Sequence, residues 1–252
     1  MWVQERHQRI LNVLETNMQV SAADLSELLG VSRETIRRDL HDLEDAGHVK
    51  RVHGGAVLPR QQAEAPFEKR KLEQLRAKSE IARKAVSLVP PGASLFVDAG
   101  TTTEKFGHEL AKLSGIMVVT NSIDVAMTIK AGGNDIDLLL LGGRIATDVP
   151  STQGDLTLSE IRRFNLDLAF IGPVAIDACK GAFSFDMYEA EISSAMIGQS
   201  TDTIFLADHT KLGAVNRILL CEANDIGAVV TDRSATEQQI EAFSDNSIKL
   251  VV

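Results

Sequence analysis

Two groups of residues in this 252-residue chain have the types and spacing to do chemistry. The first is Ser32-Arg33-Glu34-Thr35, followed by Arg37, Arg38 and His41. Arginine pairs bidentately with guanine and the threonine methyl can touch that of thymine, so this run suits the reading of base edges. Lys50, Arg51 and His53 sit on or beside a Gly-Gly turn shortly afterwards. Cations there would graze a phosphate or the minor groove. The second group begins at Asp98-Ala99-Gly100-Thr101-Thr102-Thr103. A glycine, three hydroxyls and the free N–H groups of a helix start make a phosphate cradle. It is not a Walker loop, since it lacks Gly-Lys-Ser/Thr. Polar residues recur after later apolar runs. They are Asn121-Ser122, Gly142-Gly143-Arg144, Gly172 with Asp177 nearby, and Asp208-His209-Thr210-Lys211. Arg144 would add a fixed positive charge for an anion.

The elements that must position the first group are three helices and a hairpin. Ile10, Leu11 and Leu14 at helical spacing predict a helix over 4–16. Ser21 predicts an N-cap for a second helix, with Asp24 three residues on, Leu25, Leu28 and Leu29 on one face, and Gly30 as its stop. Ser32 predicts the N-cap of a third, which runs to Gly47 and buries Ile36, Leu40 and Leu43. With Ile36 at 0°, Arg37, His41, Glu34 and Arg38 fall at about 100°, 140°, 160° and 200°, so they leave the core together. VKRVHGGAVL (49–58) alternates around its turn as a hairpin does. Alone, the charged run also suits an ordinary solvated helix face. Two helices joined by Gly-Val-Ser, then a basic hairpin, point instead to a winged helix-turn-helix that binds double-stranded operator DNA.

The second group requires a different frame. Pro59 to Pro66 reads as a polar linker, and 67–88 as mostly helical, with Ile81, Ala85 and Leu88 on one stripe. Short apolar runs then alternate with helical patterns: 94–98, 116–120, 136–141, 166–171, 203–207, 226–231 and 248–252. This alternation predicts an α/β fold with a mostly parallel, doubly wound sheet. Ligands of such sheets bind beyond the carboxyl ends of the strands, where the polar groups of this chain collect. The domains expected are 1–58 for DNA, 59–92 as linker and connecting helix, and 93–252 for an effector.

Net charge is −9, which by itself argues mildly against nucleic acid. Residues 1–60 hold 8 Lys/Arg and 9 Asp/Glu, net −1, and the remainder carries −8, so placement on elements decides rather than the overall sign. Cys179 and Cys221 lack CxxC spacing and are expected as small buried hydrophobes, with no metal and no cofactor. The longest apolar runs are far too short to span a bilayer, and no secretory leader is apparent in residues 1–20. The expectation is a cytoplasmic protein with no membrane partner.

VSRETIRRDL (31–40), RVHGGAV (51–57), DAGTTT (98–103), VTNS (119–122), LGG (141–143), LDLAFIG (166–172) and ADHTKLG (207–213) together resemble the DeoR family of bacterial regulators, especially its glycerol-3-phosphate-repressor-like branch. The resemblance implies a sensor domain related to ribose-5-phosphate isomerase and CoA-transferase folds. It implies a repressor of carbohydrate-catabolism genes, controlled by a phosphorylated sugar or derivative and acting as a homodimer or homotetramer. Position by position, Asp98, Gly100, Thr101 and Thr102 match the family's phosphate-facing loop. Asn121, Gly143, Asp177, Glu189, Asp208 and Lys211 match polar positions around its cleft. Many members have Gly-Ile-Ser-Gly-Ile-Asp where this chain has Gly-Pro-Val-Ala-Ile-Asp (172–177), a stiffer loop. The alternatives are an isomerase-like or CoA-transferase-like enzyme with an accessory DNA module, in which Lys211 would do acid–base work, and a constitutive DNA-binding protein with an inert second domain.

Overall fold

Helix α1 (Val3–Asn17) carries Ile10 and Leu14 inward, and both are fully buried. This computed structural model describes residues 2–17, 19–45, 49–52, 54–57 and 64–252. Contacts divide the chain into two units, Met1–Gln62 and Ala63–Val252. Gly47, His53 and the first part of the linker lie outside the described residues.

In the first unit, strand β1 (Gln19–Ser21) leads into α2 (Ala22–Leu29) and α3 (Arg33–Asp45). Strands β2 (Lys50–Val52) and β3 (Gly55–Val57) form the hairpin. Ser21 accepts a hydrogen bond from the Asp24 amide, which starts α2. Gly30 ends it with φ 64°, a left-handed conformation that costs glycine nothing. The sheet order is β1-β3-β2, all antiparallel, so β1 adds a strand beside the wing. Three residues are too few for a period-two signal, and sequence reading missed this strand. Ile36, Leu40 and Leu43 join Ile10, Leu14, Leu25, Leu29, Val49 and Ala56 in one core. Fully burying a side chain such as Ile36 contributes about 2 kcal/mol. Leu28, expected on the apolar face of α2, is 63% exposed, because the helix covers its core with Leu25 and Leu29 alone.

Asp39 is also buried, and it faces α1. Its carboxylate pairs with both Nε and Nη2 of Arg6, at 2.5 and 2.7 Å, and His7 Nε2 stands 3.2 Å away. This fork-to-fork pair holds α1 against α3.

The second unit starts with α4 (Phe67–Leu72) and α5 (Leu75–Val86). The expected single helix is broken at Glu73–Gln74, where Gln74 takes φ 51°. The main elements follow in order: β4 (Ser94–Val97), α6 (Thr101–Leu110), β5 (Ile116–Thr120), α7 (Ile123–Gly132), β6 (Ile136–Leu140), β7 (Arg144–Ile145), β8 (Thr152–Gln153), α8 (Asp155–Ile161), β9 (Leu166–Ile171), β10 (Ala175–Asp177), β11 (Gly181–Ser184), α9 (Met187–Gly198), β12 (Ser200–Leu206), β13 (Ile218–Cys221), β14 (Ala228–Val230), α10 (Glu237–Asp245) and β15 (Lys249–Val251). Seven strands form one parallel sheet in the order β15-β14-β12-β9-β4-β5-β6. Each of the seven apolar runs supplies one of them. A small antiparallel sheet, β10-β11-β13, was not anticipated.

Both faces of the large sheet are covered, which is why its inner strands are continuously apolar. Leu95 and Val97 of β4 turn to one face with Ile81, Phe106, Leu110, Val125 and Ile129 from α5, α6 and α7. Phe96 turns to the other, with Ile161, Ile192, Met196 and Phe243 from α8, α9 and α10. Helix α5 therefore belongs to the core of the second unit. Edge strand β6 departs from this rule, leaving Leu139 and Leu140 about two-fifths exposed. Cys221 is buried, which pushes its thiol up to about 11, but Cys179 is exposed in a turn, contrary to expectation. Among the described residues, no helix is long and apolar enough to cross a membrane, and no group of acidic, His or Cys side chains is placed to hold a metal.

The Arg6–Asp39 pair generates a stability prediction. Asp39→Ala removes the buried carboxylate that the Arg6 guanidinium grips, a loss of about 3 kcal/mol. Urea unfolding of the full chain, followed by far-UV circular dichroism, should show the helical signal of this unit lost earlier. An unchanged curve would contradict the bracing role.

Candidate functional site

On the first unit, Ser32 caps α3: its Oγ accepts the Thr35 amide at 3.1 Å and lies 2.9 Å from Thr35 Oγ1. Both hydroxyls are thus partly committed to the helix start. Arg37 and Arg38 are 74% and 79% exposed, with Glu34 between them at 3.8 and 3.9 Å. Contacts that loose at an exposed surface leave both guanidiniums available. His41 stands 2.8 Å from Asp45 on the same exposed face. Lys50 is exposed on the wing. Arg51 is partly engaged, since Glu44 accepts its backbone amide at 2.8 Å and stands 3.4 Å from its Nε. Arg33, Arg37 and Arg51 share one groove with Val52 and Gly54, between the start of α3 and the wing. His53 lies outside the described residues. The pattern is a line of cations and polar ends along the outer face of α3, held outward by the buried stripe on its other side.

On the second unit, the strand order reverses between β4 and β9. Chain order runs from β4 outward through β5 and β6, then restarts at β9 and runs the other way. Crevices form at such switch points, beyond the carboxyl ends of the strands. Asp98 follows β4 directly, and α6 begins at Thr101. Asp98, Gly100, Thr101, Thr102, Asn121, Glu189 and Lys211 line the cleft there. Thr101 and Thr102 are buried in the first turn of α6, whose amides lack intrahelical partners.

Asp98 is buried. Ser193 Oγ donates to its Oδ2 at 2.8 Å and the Ala99 amide to its Oδ1 at 2.8 Å. Burial still dominates these bonds and pushes the carboxyl up to about 6. Glu189, on the first turn of α9, is pushed up to about 7, first by burial, then by Glu64 and Asp98, with Arg70 opposing. Asn121 Nδ2 donates to the Thr152 carbonyl at 3.3 Å, but its buried Oδ1 has no hydrogen-bond partner. Lys211 Nζ donates to the Pro173 carbonyl, bracing the loop in which the chain departs from the family pattern.

Other expected residues serve the frame and do not line the cleft. Thr103 is fully buried, and its hydroxyl donates to the Gly100 carbonyl. Ser122 caps α7 through the Val125 amide. The Gly142 amide donates to Glu160, and its carbonyl accepts from Thr157. Gly143 has φ 146°, and a Cβ there would run into Thr157 Oγ1 and stand 2.8 Å from the Gln153 carbonyl. Arg144 is exposed on β7, paired with Gln153 of β8. Asp177 accepts the Cys179 and Lys180 amides in a turn. Asp208 caps the short helical turn 209–211 through the Thr210 amide.

The cleft also recruits residues that sequence reading missed. Glu64 and Arg70 come from the segment expected as linker and connector, and Ser151, Ser184 and Ser193 from the turn before β8, from β11 and from α9 respectively. Neither periodicity nor a motif marks them. Only the αL break at Gln74, invisible in composition, turns α4 so that Arg70 reaches the cleft rather than continuing along α5.

Comparison with known proteins gives matches over both units. Residues 6–62 match the DeoR-like helix-turn-helix domain, and residues 73–233 the DeoR C terminal sensor domain. The glycerol-3-phosphate regulon repressor of Escherichia coli (strain K12) is 33% identical over 246 residues, covering 98% of this chain and 97% of its own. The HTH-type transcriptional repressor GlcR of Bacillus subtilis (strain 168) is 30% identical, covering 100% and 97%. Among solved structures, the sorbitol operon regulator SorC of Klebsiella pneumoniae aligns over 95% of this chain and 99% of its own, at 16% identity and a TM-score of 0.43. A sensor domain matched over residues 73–233, a helix-turn-helix matched over 6–62 and a full-length relative at 33% identity establish that the chain belongs to the DeoR family of DNA-binding transcriptional regulators.

Proposed function

We propose that this protein is a cytoplasmic repressor of carbohydrate-catabolism genes whose grip on operator DNA is set by a phosphorylated sugar or sugar derivative. The observation that carries the reading is the cleft at the β4/β9 switch point, with a helix start, two cations and an unpaired amide oxygen together. The ligand's phosphate docks at Gly100–Thr102, where the amides of α6 and Lys211 meet it. Its hydroxyls bond to Asp98, Asn121 Oδ1 and Glu189. The outward face of α3 reads the major groove, and the wing touches the backbone. The repressor works as a homodimer or homotetramer on paired half-sites, so a change within each subunit alters the match to both. The cleft binds its ligand without turning it over: both Asp98 oxygens are engaged by Ser193 and Ala99, which suits holding a hydroxyl better than shuttling a proton.

Three outcomes test this. In gel shifts on a mapped operator, Arg37→Ala/Arg38→Ala should weaken binding at least about tenfold, through lost base and phosphate contacts. Equal affinity would sink the assignment of α3. A melting-temperature screen with glycerol 3-phosphate, ribose 5-phosphate and hexose 6-phosphates should find a stabilising ligand, because binding to the native state alone raises its stability. Lys211→Ala should abolish that shift, and no shift for wild type would leave the second unit an inert scaffold.

Glu189 supplies a pH test. Its folded pKa is raised, so its contribution to stability is full below the ordinary glutamate value and is lost as pH rises through about 7. Glu189→Gln should therefore be more stable than wild type at pH 8, by on the order of 1–2 kcal/mol, and equal to it near pH 4.5. A Gln variant less stable than wild type at pH 8 would show that the carboxylate is favourably paired instead.

A further inference from the structure

The acids that line the cleft work against its phosphate site. Glu64, Asp98 and Glu189 face it with Arg70 and Lys211, three acids against two bases. A dianion entering that set meets more like charge than opposite charge, in surroundings where screening by solvent is weak. One of the acids is not part of the sheet frame. Glu64 precedes α4 and directly follows, in the chain, the residues that join the two units. Its carboxylate lies 2.8 Å from Arg70 Nη1, with the side chains only 18% and 16% exposed. Arg70 Nε also donates to the Ala65 carbonyl at 2.8 Å. One guanidinium therefore holds two consecutive residues of the incoming chain.

Arg70 itself is anchored independently of Glu64. The buried Lys78 amine of α5 donates to the Arg70 carbonyl, and Asp148 accepts the Phe67 amide at the start of α4. With Glu64 removed, Asp148 at 3.7 Å from Nη2 and the Phe67 ring still position the guanidinium, and the Nη1 that Glu64 occupied is open to a phosphate oxygen. On the same cleft wall, the unpartnered Asn121 Oδ1 supplies an acceptor for a hydroxyl donor, as a phosphorylated sugar would bring.

Building on the sensor reading above, we propose that Arg70 joins the α6 amides and Lys211 in holding the ligand's phosphate and that Glu64 is its internal competitor, so the anion binds by replacing the Glu64 carboxylate on the Arg70 guanidinium. The exchange leaves two cations facing two acids and the ligand, and it releases the Glu64 side chain from Arg70. The ligand's charge thereby acts on the segment that leads to the DNA-binding unit. A ligand without an anionic group lacks the means to displace Glu64, so the device selects phosphorylated over free sugars.

The test is calorimetric titration of the full chain with glycerol 3-phosphate, ribose 5-phosphate and hexose 6-phosphates. Glu64→Gln should bind the best of these about tenfold more tightly than wild type, and Arg70→Gln about tenfold more weakly. Glu64→Asp, which keeps the charge but withdraws it by one methylene, should also tighten binding, and it covers the case in which the Gln variant misfolds. Wild-type binding with Glu64 variants unchanged or weaker overturns the exchange and leaves the sensor reading standing. Absence of binding to wild type and to every Glu64 variant rejects the sensor reading and this inference together.

Discussion

The sensor unit depends on one constraint: a parallel sheet must have both faces covered, so its crossovers place helices on alternate sides and force the strand order to reverse somewhere. The reversal falls between β4 and β9. Because the next helix after β4 leaves toward one face and the chain after β9 leaves toward the other, the space above these two strands stays open. The Asp98–Thr102 loop, the Pro173 loop and the start of α9 all border that gap. Polar residues there have no layer above them to bury against, which is why Asp98 and Asn121 are enclosed by the cleft's own walls and Asn121 Oδ1 is left without a hydrogen-bond partner.

The electrostatics follow from the same enclosure. Asp98 and Glu189 hold protons more tightly than free carboxyls, chiefly because burial penalises their charge. Arg70 opposes that effect at Glu189 without cancelling it. A cleft of this kind favours ligands that bring hydroxyls and a compact negative charge, and its acidity makes the placement of each cation decisive.

The DNA-binding unit has a different dependence. Among the described residues its core has nine buried apolar side chains, and domains of about sixty residues are marginal on burial alone. The buried Arg6–Asp39 pair specifies how α1 meets α3, and so the direction in which Arg37 and Arg38 project. Asp39 belongs to the same charged run as the outward arginines, yet the helical period turns it inward. A charged residue in the recognition run thus serves the core.

What the sequence by itself determined is local and periodic. Seven apolar runs became seven strands, Ile36, Leu40 and Leu43 became a buried stripe, and Ser21, Ser32 and Gly30 marked helix ends through bonds within a few residues. These features were legible because their physics acts over one turn or one strand. The tertiary structure alone decided which polar residues share a site. Asp39 meets Arg6 across 33 residues and Asp98 meets Ser193 across 95, and no local pattern encodes such pairings. Arg144, Asp177 and Asp208 had the right chemistry but were directed to a surface strand, a turn and a cap. Arg70 and Glu64, in a stretch that reads as linker, were brought into the cleft by a single left-handed residue, Gln74, whose conformation is set by packing rather than by its own preference.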